Sequence, residues 1–478
     1  MKKLFAIVCL VLGACAQPQP ADLAIRATTV VDVTDGSLRP DQTVLIKGNR
    51  IIAVGPTAEL RVPDGADLID AAGGYLIPGL WDMHVHSAAN VEWHFPLFVA
   101  NGVTGVRNLH TTVDAALDLT QSIKTRLTSG ELFGPRFLAN GPIVDGEPPS
   151  WPAAVLVGTP AEASVAVESL VAGGADFIKV YDNLSRDAYF AIAEESRRRG
   201  VPFLGHVPFA VSAQEAADAG HRTDEHMTGI ESGCSTRAES IRADRRQVTQ
   251  TAGSRSPIET VVELFRLERA LYDTRDLALC TATAEAYVRN GTMVVPNLVI
   301  HSNSNSPSDV LADYASMRFI PASARSEWEG RAGPGPGDAI RHLMQPTWEA
   351  RLENVRLLRD TGVPILAGTD VGNPFLVPGV SLHQELALLV DAGLTPLEAL
   401  QAATLGAARA LAAIDSLGTI ETGKLADLVL LDADPLENIN NTRGIRAVVV
   451  DGRLLRRADL DRLLAEVEAL HQQAGEQE

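Results

Sequence analysis

Pro78-Gly79-Leu80-Trp81-Asp82-Met83-His84-Val85-His86 is the stretch on which the reading of this chain turns. It follows an apolar β-type segment, Tyr75-Leu76-Ile77, and sets two histidines two residues apart. In a strand, residues i and i+2 point to one face. His84 and His86 therefore present two imidazoles to one point, and imidazole is the commonest biological metal ligand. Asp82, one strand period earlier, is expected to orient a histidine or the turn rather than to bind metal.

Working outward, the segments before and after this run differ from the middle of the chain. Residues 22–77 read as short strands (Ala27–Val33, Thr43–Lys47, Ile51–Val54), and residues 418–457 read the same way (Asp427–Asp432, Ile445–Val450). Between them, β-type runs alternate with helical patterns. The β-runs include Gly102–Asn108, Phe137–Asn140, Phe177–Tyr181, Pro202–Val207, Thr292–Val299 and Pro364–Ala367. The helical patterns include Ala161–Ala172, Arg186–Arg199 and Leu382–Ala392. About eight such alternations predict an α/β fold, a (β/α)8 barrel of the TIM type. The expected organisation is a barrel over 79–408, with a small β-sandwich domain built from 15–78 and 409–457. Residues 229–345 read as irregular, an excursion or lid over the barrel. Residues 458–478 predict a short amphipathic helix (Leu460, Leu463, Leu464, Val467, Leu470) with a frayed polar end from Gln472.

At 478 residues the chain can bury a large core. A net charge of −19 argues against nucleic acid and anionic membrane surfaces as partners. The N-terminus reads as an export signal over 1–14: Lys2 and Lys3, an apolar run from Leu4 to Leu12, then Gly13-Ala14-Cys15. Leu12-Gly13-Ala14-Cys15 resembles a bacterial lipobox. That resemblance implies lipidation of Cys15 and a protein of the periplasm or cell envelope that meets the membrane through this anchor alone. Spacing leaves open whether Cys234 and Cys280 pair.

Barrel enzymes gather their functional groups at the C-terminal ends of the strands. The first inferred strand ends at His84 and His86, and the fourth carries Lys179. His206 ends the fifth, His226 the sixth and Asp370 the eighth. This order resembles the amidohydrolase superfamily, in particular its binuclear lysine-carbamate members of the prolidase-like and dipeptidase-like groups. Gly418 to Val429, reading GTIETGKLADLV, resembles the return segment that completes their β-domain. The resemblance implies that Lys179 captures carbon dioxide and bridges two divalent ions. His84, His86 and Asp370 would hold one ion, His206 and His226 the other, and Asp370 would also move the proton. Zinc suits such nitrogen–oxygen ligation, with manganese, cobalt and nickel compatible. A plain lysine at a strand end would instead extend its ammonium to solvent. Yet the chain has only six lysines, and this one lies between Ile178 and Val180.

Tyr181, on the same strand face as Lys179, is a candidate donor to a substrate carbonyl, with rim packing as the alternative. His110 and His301 are weaker candidates for substrate contact. His94, His221, His342, His383 and His471 read as solvated or packed. The function expected is hydrolysis of amide bonds in short peptides or N-acyl amino acids. Hydrolysis of lactones or phosphotriesters on the same site is the runner-up, and a non-catalytic binding protein the third reading. Related deaminases carry a glutamate three residues after the fifth-strand histidine, where this chain has Phe209. An arginine gripping a free carboxylate would point to C-terminal substrates; Arg237, Arg242, Arg245, Arg246 and Arg255, which follow the sixth strand, are candidates, with a solvated charged face as the alternative for most of them. Oligomeric state is not legible.

Overall fold

A computed structural model describes residues 21–113 and 115–475. The export signal and Cys15 lie outside the described residues. Strands β1 (Leu23–Val31), β2 (Leu38–Lys47), β3 (Arg50–Pro56), β4 (Asp67–Asp70) and β5 (Tyr75–Pro78) form the leading part of an eight-stranded sheet. The barrel follows with β6 (Leu80–Val85), β7 (Val103–Asn108), β8 (Arg136–Ala139), β11 (Ile178–Val180), β12 (Phe203–Gly205), β13 (Thr223–Glu225) and β14 (Met293–Val295). Two short strands, β9 (Val144–Asp145) and β10 (Val155–Leu156), lie between β8 and β11. The chain then returns to the first sheet with β15 (Leu428–Leu431), β16 (Ile445–Val450) and β17 (Arg453–Arg456).

The helices are α1 (Val91–Ala100), α2 (Ala116–Ser129), α3 (Pro160–Ala172), α4 (Arg186–Arg199), α5 (Ala213–Asp218) and α6 (Thr228–Gly233). They continue with α7 (Ala238–Gln250), α8 (Pro257–Asp273), α9 (Leu277–Asn290), α10 (Leu298–Asn305), α11 (Pro307–Ala312), α12 (Tyr314–Met317), α13 (Ala322–Ala332) and α14 (Pro336–Met344). The last are α15 (Trp348–Thr361), α16 (Val380–Asp391), α17 (Pro396–Ala402), α18 (Leu405–Ala410) and α19 (Arg457–Gly475). Among the described residues no helix is long and apolar enough to cross a membrane.

β5 joins the two ends of the chain. It pairs parallel with β1 on one edge and antiparallel with β15 on the other. Its core is made by alternating inward residues from both ends, among them Ile25, Ile46, Leu76, Leu428 and Val449. Arg136 of β8 clamps this domain to the barrel, bonding Asp427 at 2.5 Å and Asp451 at 2.8 Å.

The barrel differs from expectation at its eighth position. Pro364–Ala367 does not make a regular strand; residues 364–371 form only isolated bridges, Ile365 to Val294 and Val371 to Val85, and bond to both neighbours. Leu366 N–H donates to Val294 at 2.9 Å, Met83 N–H to Ala367 at 2.9 Å, and Asp370 N–H to His84 at 2.7 Å. The physical reason is Asp82. Its carboxylate accepts the Thr369 N–H at 3.0 Å and the Thr369 hydroxyl at 2.6 Å, taking the place of ladder bonds.

Two further expectations are corrected. Residues 229–345 are not irregular: apart from β14 they are chiefly helices, α6 to α14. Polar, capped helices hide in such a stretch, as with α8, whose Ser256 and Glu259 form a capping box. The C-terminal helix does not fray at Gln472 but continues to Gly475, with Leu460 and Val467 buried along it. Cys234, which follows α6, and Cys280 of α9 are joined by a disulfide.

Candidate metal centre

The strand ends bring the sequence candidates to one mouth of the barrel. His84 is the last residue but one of β6 and is buried. Its Nδ1 faces the buried Glu225 carboxylate at 2.9 Å, so that Nδ1 donates and the Nε2 lone pair points inward. His206 is set the same way by Asp182, 2.9 Å from its Nδ1. The ring centroids of His84 and His86 are 5.3 Å apart, those of His84 and His226 4.7 Å, and those of His206 and His226 5.2 Å. Asp370 closes the cluster. Its Oδ1 lies 3.2 Å from His84 Nε2 and 2.8 Å from His86 Nε2, and its Oδ2 lies 3.8 Å from His226 Nε2.

These atoms suit a cation better than one another. Donor atoms of His84, His86 and Asp370 lie within 4.8 Å of each other. Asp370 Oδ1 is buried and accepts no well-directed hydrogen bond, so nitrogen and oxygen lone pairs converge on one space. Burial holds the His84 and His206 imidazoles well below their ordinary pKa and that of His226 at about 3. Neutral imidazole is the ligating form. Burial alone would push the Asp370 carboxyl up, but His226, His86 and Lys179 outweigh it and hold it below its usual value.

The local backbone is specialised for this. His226 and Asp370 have φ of 60° and 67°, the left-handed region that non-glycine residues rarely adopt. Gly205, immediately before His206, has φ of 133°. A Cβ there would meet the Val180 carbonyl at 2.3 Å and Lys179 Cδ at 3.0 Å. Glycine is thus required for the close approach of the Val180 backbone, the strand residue next to Lys179. Lys179 is itself buried, which lowers its amine to about 8.

Around this cluster, Tyr181 stacks on His206 with centroids 4.0 Å apart. Burial raises its phenol well above the ordinary value, so it stays protonated. His110 lies 6.4 Å from His86, ring to ring, and neither of its buried nitrogens has a partner among the described residues. His301 lies on α10, where its Nε2 accepts from Arg351 at 3.0 Å. Of the five arginines, Arg237 and Arg255 are exposed, and Arg246 donates to the Phe209 carbonyl at 2.5 Å. Arg245 sits over the Phe209 ring at 5.4 Å and lowers the carboxyl pKa of the half-buried Asp182, which burial nonetheless raises. Arg242 is half-buried. His94, His221 and His383 are packed and bonded to Ser87, Tyr189 and Thr442, and His342 is exposed.

Sequence reasoning missed Glu225, Asp182 and Arg107. Arg107 bonds Glu225 at 2.8 Å and the Met83 carbonyl at 2.7 Å inside the barrel. Asp224-Glu225-His226 sets an acid directly beside a candidate ligand, but regular strand alternation would turn it away from His226 and so gave no usable signal.

The sequence pattern of the amidohydrolase family matches residues 75–455. Among curated proteins, adenine deaminase 3 of Rhizobium meliloti is 43% identical over 68 residues, 14% of this chain and 11% of that enzyme. The chain thus matches only about a tenth of that enzyme's length. Two solved structures align over most of the chain. One is a Xaa-Pro dipeptidase with methionine bound in its active site: TM-score 0.66, 21% identity, covering 91% of this chain and 99% of that one. The other, described as a prolidase from Bifidobacterium longum, has a TM-score of 0.65 and 24% identity, covering 94% and 100%. At these identities the likeness is one of fold.

Proposed function

The chain belongs to the amidohydrolase family and is a metal-dependent hydrolase; from that premise we propose that it cleaves amide bonds of short peptides or N-acyl amino acids at a two-ion centre. The observation that carries this reading is the ring of imidazoles and one carboxylate beside a buried lysine at the barrel mouth. His84, His86 and Asp370 would hold one ion and His206 and His226 the other. Lys179, carboxylated by carbon dioxide, would bridge them, its burial favouring the neutral amine that this reaction needs. Zinc suits the donor set. When bound, the ions supply an acidified water and polarise the scissile carbonyl.

The chain's own groups do the rest. Asp370 accepts the proton of the attacking water and delivers it to the leaving nitrogen. Tyr181 donates its hydroxyl to the carbonyl oxygen, where charge develops. His110, with two nitrogens unpartnered among the described residues, lines the same side. Arg245 is the arginine best placed for a substrate carboxylate. Phe209 stands where related deaminases have glutamate, which speaks against deamination. Methionine in the dipeptidase relative is an amino-acid ligand of the kind this reading expects. We also read the enzyme as exported and anchored at Cys15. The Cys234–Cys280 disulfide supports an oxidising compartment.

The test is elemental analysis of protein purified without chelator, followed by assay of dipeptides, N-acyl amino acids, lactones and phosphotriesters. About two ions per chain with amide cleavage supports the proposal. Cleavage of esters alone moves it to the runner-up. No metal, with none taken up from zinc and bicarbonate, overturns it.

A further inference from the structure

Tyr181 is held on two sides. Its ring lies against His206 with 27° between planes. Its hydroxyl oxygen accepts one hydrogen bond, from the indole Nε1–H of Trp151 at 2.8 Å. A phenol has one donor and lone pairs to accept with. The described residues include no acceptor for Tyr181's own O–H.

Trp151 is an unusual source for that bond. It is 45% exposed, on a loop rather than on a strand or helix. Yet the loop before it is tied down firmly. The buried Asp145 carboxylate accepts Gly146 N–H at 2.8 Å, Ser150 N–H at 2.9 Å and Asn183 N–H at 2.8 Å. Asn183 Nδ2 in turn donates to the Pro148 carbonyl at 2.9 Å and to Ser150 Oγ at 3.1 Å. Asn183 is two residues from Tyr181, so the loop and the phenol share one anchor. A large aromatic side chain remains half in water while its single polar atom is committed inward.

We propose that Trp151 is a positioning residue for Tyr181: its indole N–H fills an acceptor site on the phenol oxygen, aims the phenolic O–H at the substrate carbonyl and strengthens it as a donor. Hydrogen bonds in a chain polarise one another, most strongly where water is scarce. A donor fixed before reaction needs no reorganisation as charge develops on the carbonyl oxygen. The inference rests on the amide-hydrolase reading for the identity of that oxygen. The Trp151–Tyr181 bond does not depend on it.

The test uses Trp151→Phe, which keeps a ring and removes the N–H, alone and combined with Tyr181→Phe. In protein carrying 15N-labelled tryptophan, five indole signals are expected from five tryptophans, and Trp151→Phe assigns one. That signal should move upfield in Tyr181→Phe. A signal that stays put overturns the proposal without reference to activity. In kinetics, Trp151→Phe should lower kcat about tenfold with KM nearly unchanged, a fraction of the effect of losing an oxyanion donor outright. In the Tyr181→Phe background it should cost nothing further. Equal losses in both backgrounds mark a merely structural role and overturn the proposal. If the wild type cleaves no amide, the functional reading falls, while the indole signal still decides whether Trp151 holds Tyr181.

Discussion

Arg107 and Glu225 form an ion pair inside the barrel, with side chains 2% and 0% exposed. Removing one partner of such a pair strands the other as an uncompensated charge. Arg107→Met should therefore cost about 3–5 kcal/mol, read as a shifted urea midpoint, and adding Glu225→Gln should restore part of it. The same change should weaken metal binding, because Glu225 holds His84 Nδ1. Lys179→Ala should lose the bound metal, with rescue by short carboxylic acids that fill the bridge. A variant that keeps both ions without rescue would remove the carbamate from the scheme. Asp370→Asn should keep much of the metal and lose roughly 100- to 10,000-fold in turnover; wild-type rates would refute its proton-transfer role. That His84, His86, His206, His226 and Asp370 gather at one mouth of the barrel was legible, because each stands at the end of an inferred strand. Glu225 was not. In a regular strand it would face away from its neighbour His226, but the left-handed backbone at His226 breaks the alternation. Trp151 had no local signal either, since its bond to Tyr181 spans 30 residues.

Helices α6 and α9 are tied by the Cys234–Cys280 bridge, and α6 begins two residues after His226. The bridge closes a span of 46 residues that contains α7 and α8. In the chain-entropy picture a loop of that size stabilises by about 4 kcal/mol. Reduction, or Cys280→Ala, should lower the melting temperature, measured with and without reductant; unchanged melting would show that packing alone holds these helices. This is also the region the sequence hid best. α7 buries only Ile241 and Val248 among thirteen residues, and its sequence, AESIRADRRQVTQ, is strongly polar. The legible clue was Ser256-Pro257-Ile258-Glu259, the capping box of α8. Most regular barrel strands were clearer, being short apolar runs, although β13 reads Thr223-Asp224-Glu225. The eighth is irregular because Asp82, a side chain from another strand, takes the Thr369 N–H and hydroxyl.

The molecule is closed by its own two ends. The sequence foretold this, since β-type runs flank a strand–helix alternation on both sides. What it could not supply was the seam, β5 against β15 in register from Tyr75↔Leu431 to Pro78↔Leu428. A chain ending at residue 420 lacks β15 to β17 and leaves that edge of β5 bare. Exposed edges template association, so this truncation should elute as aggregate in size exclusion while the full chain does not. There is a consequence for synthesis on the ribosome. β5 emerges roughly 350 residues ahead of β15, an interval of about 20–70 s at ordinary translation speeds. For that time the nascent chain carries an open strand beside the histidines it will later position. Slow codons late in the message should lengthen the wait and lower the soluble yield, and a co-expressed holdase should recover it.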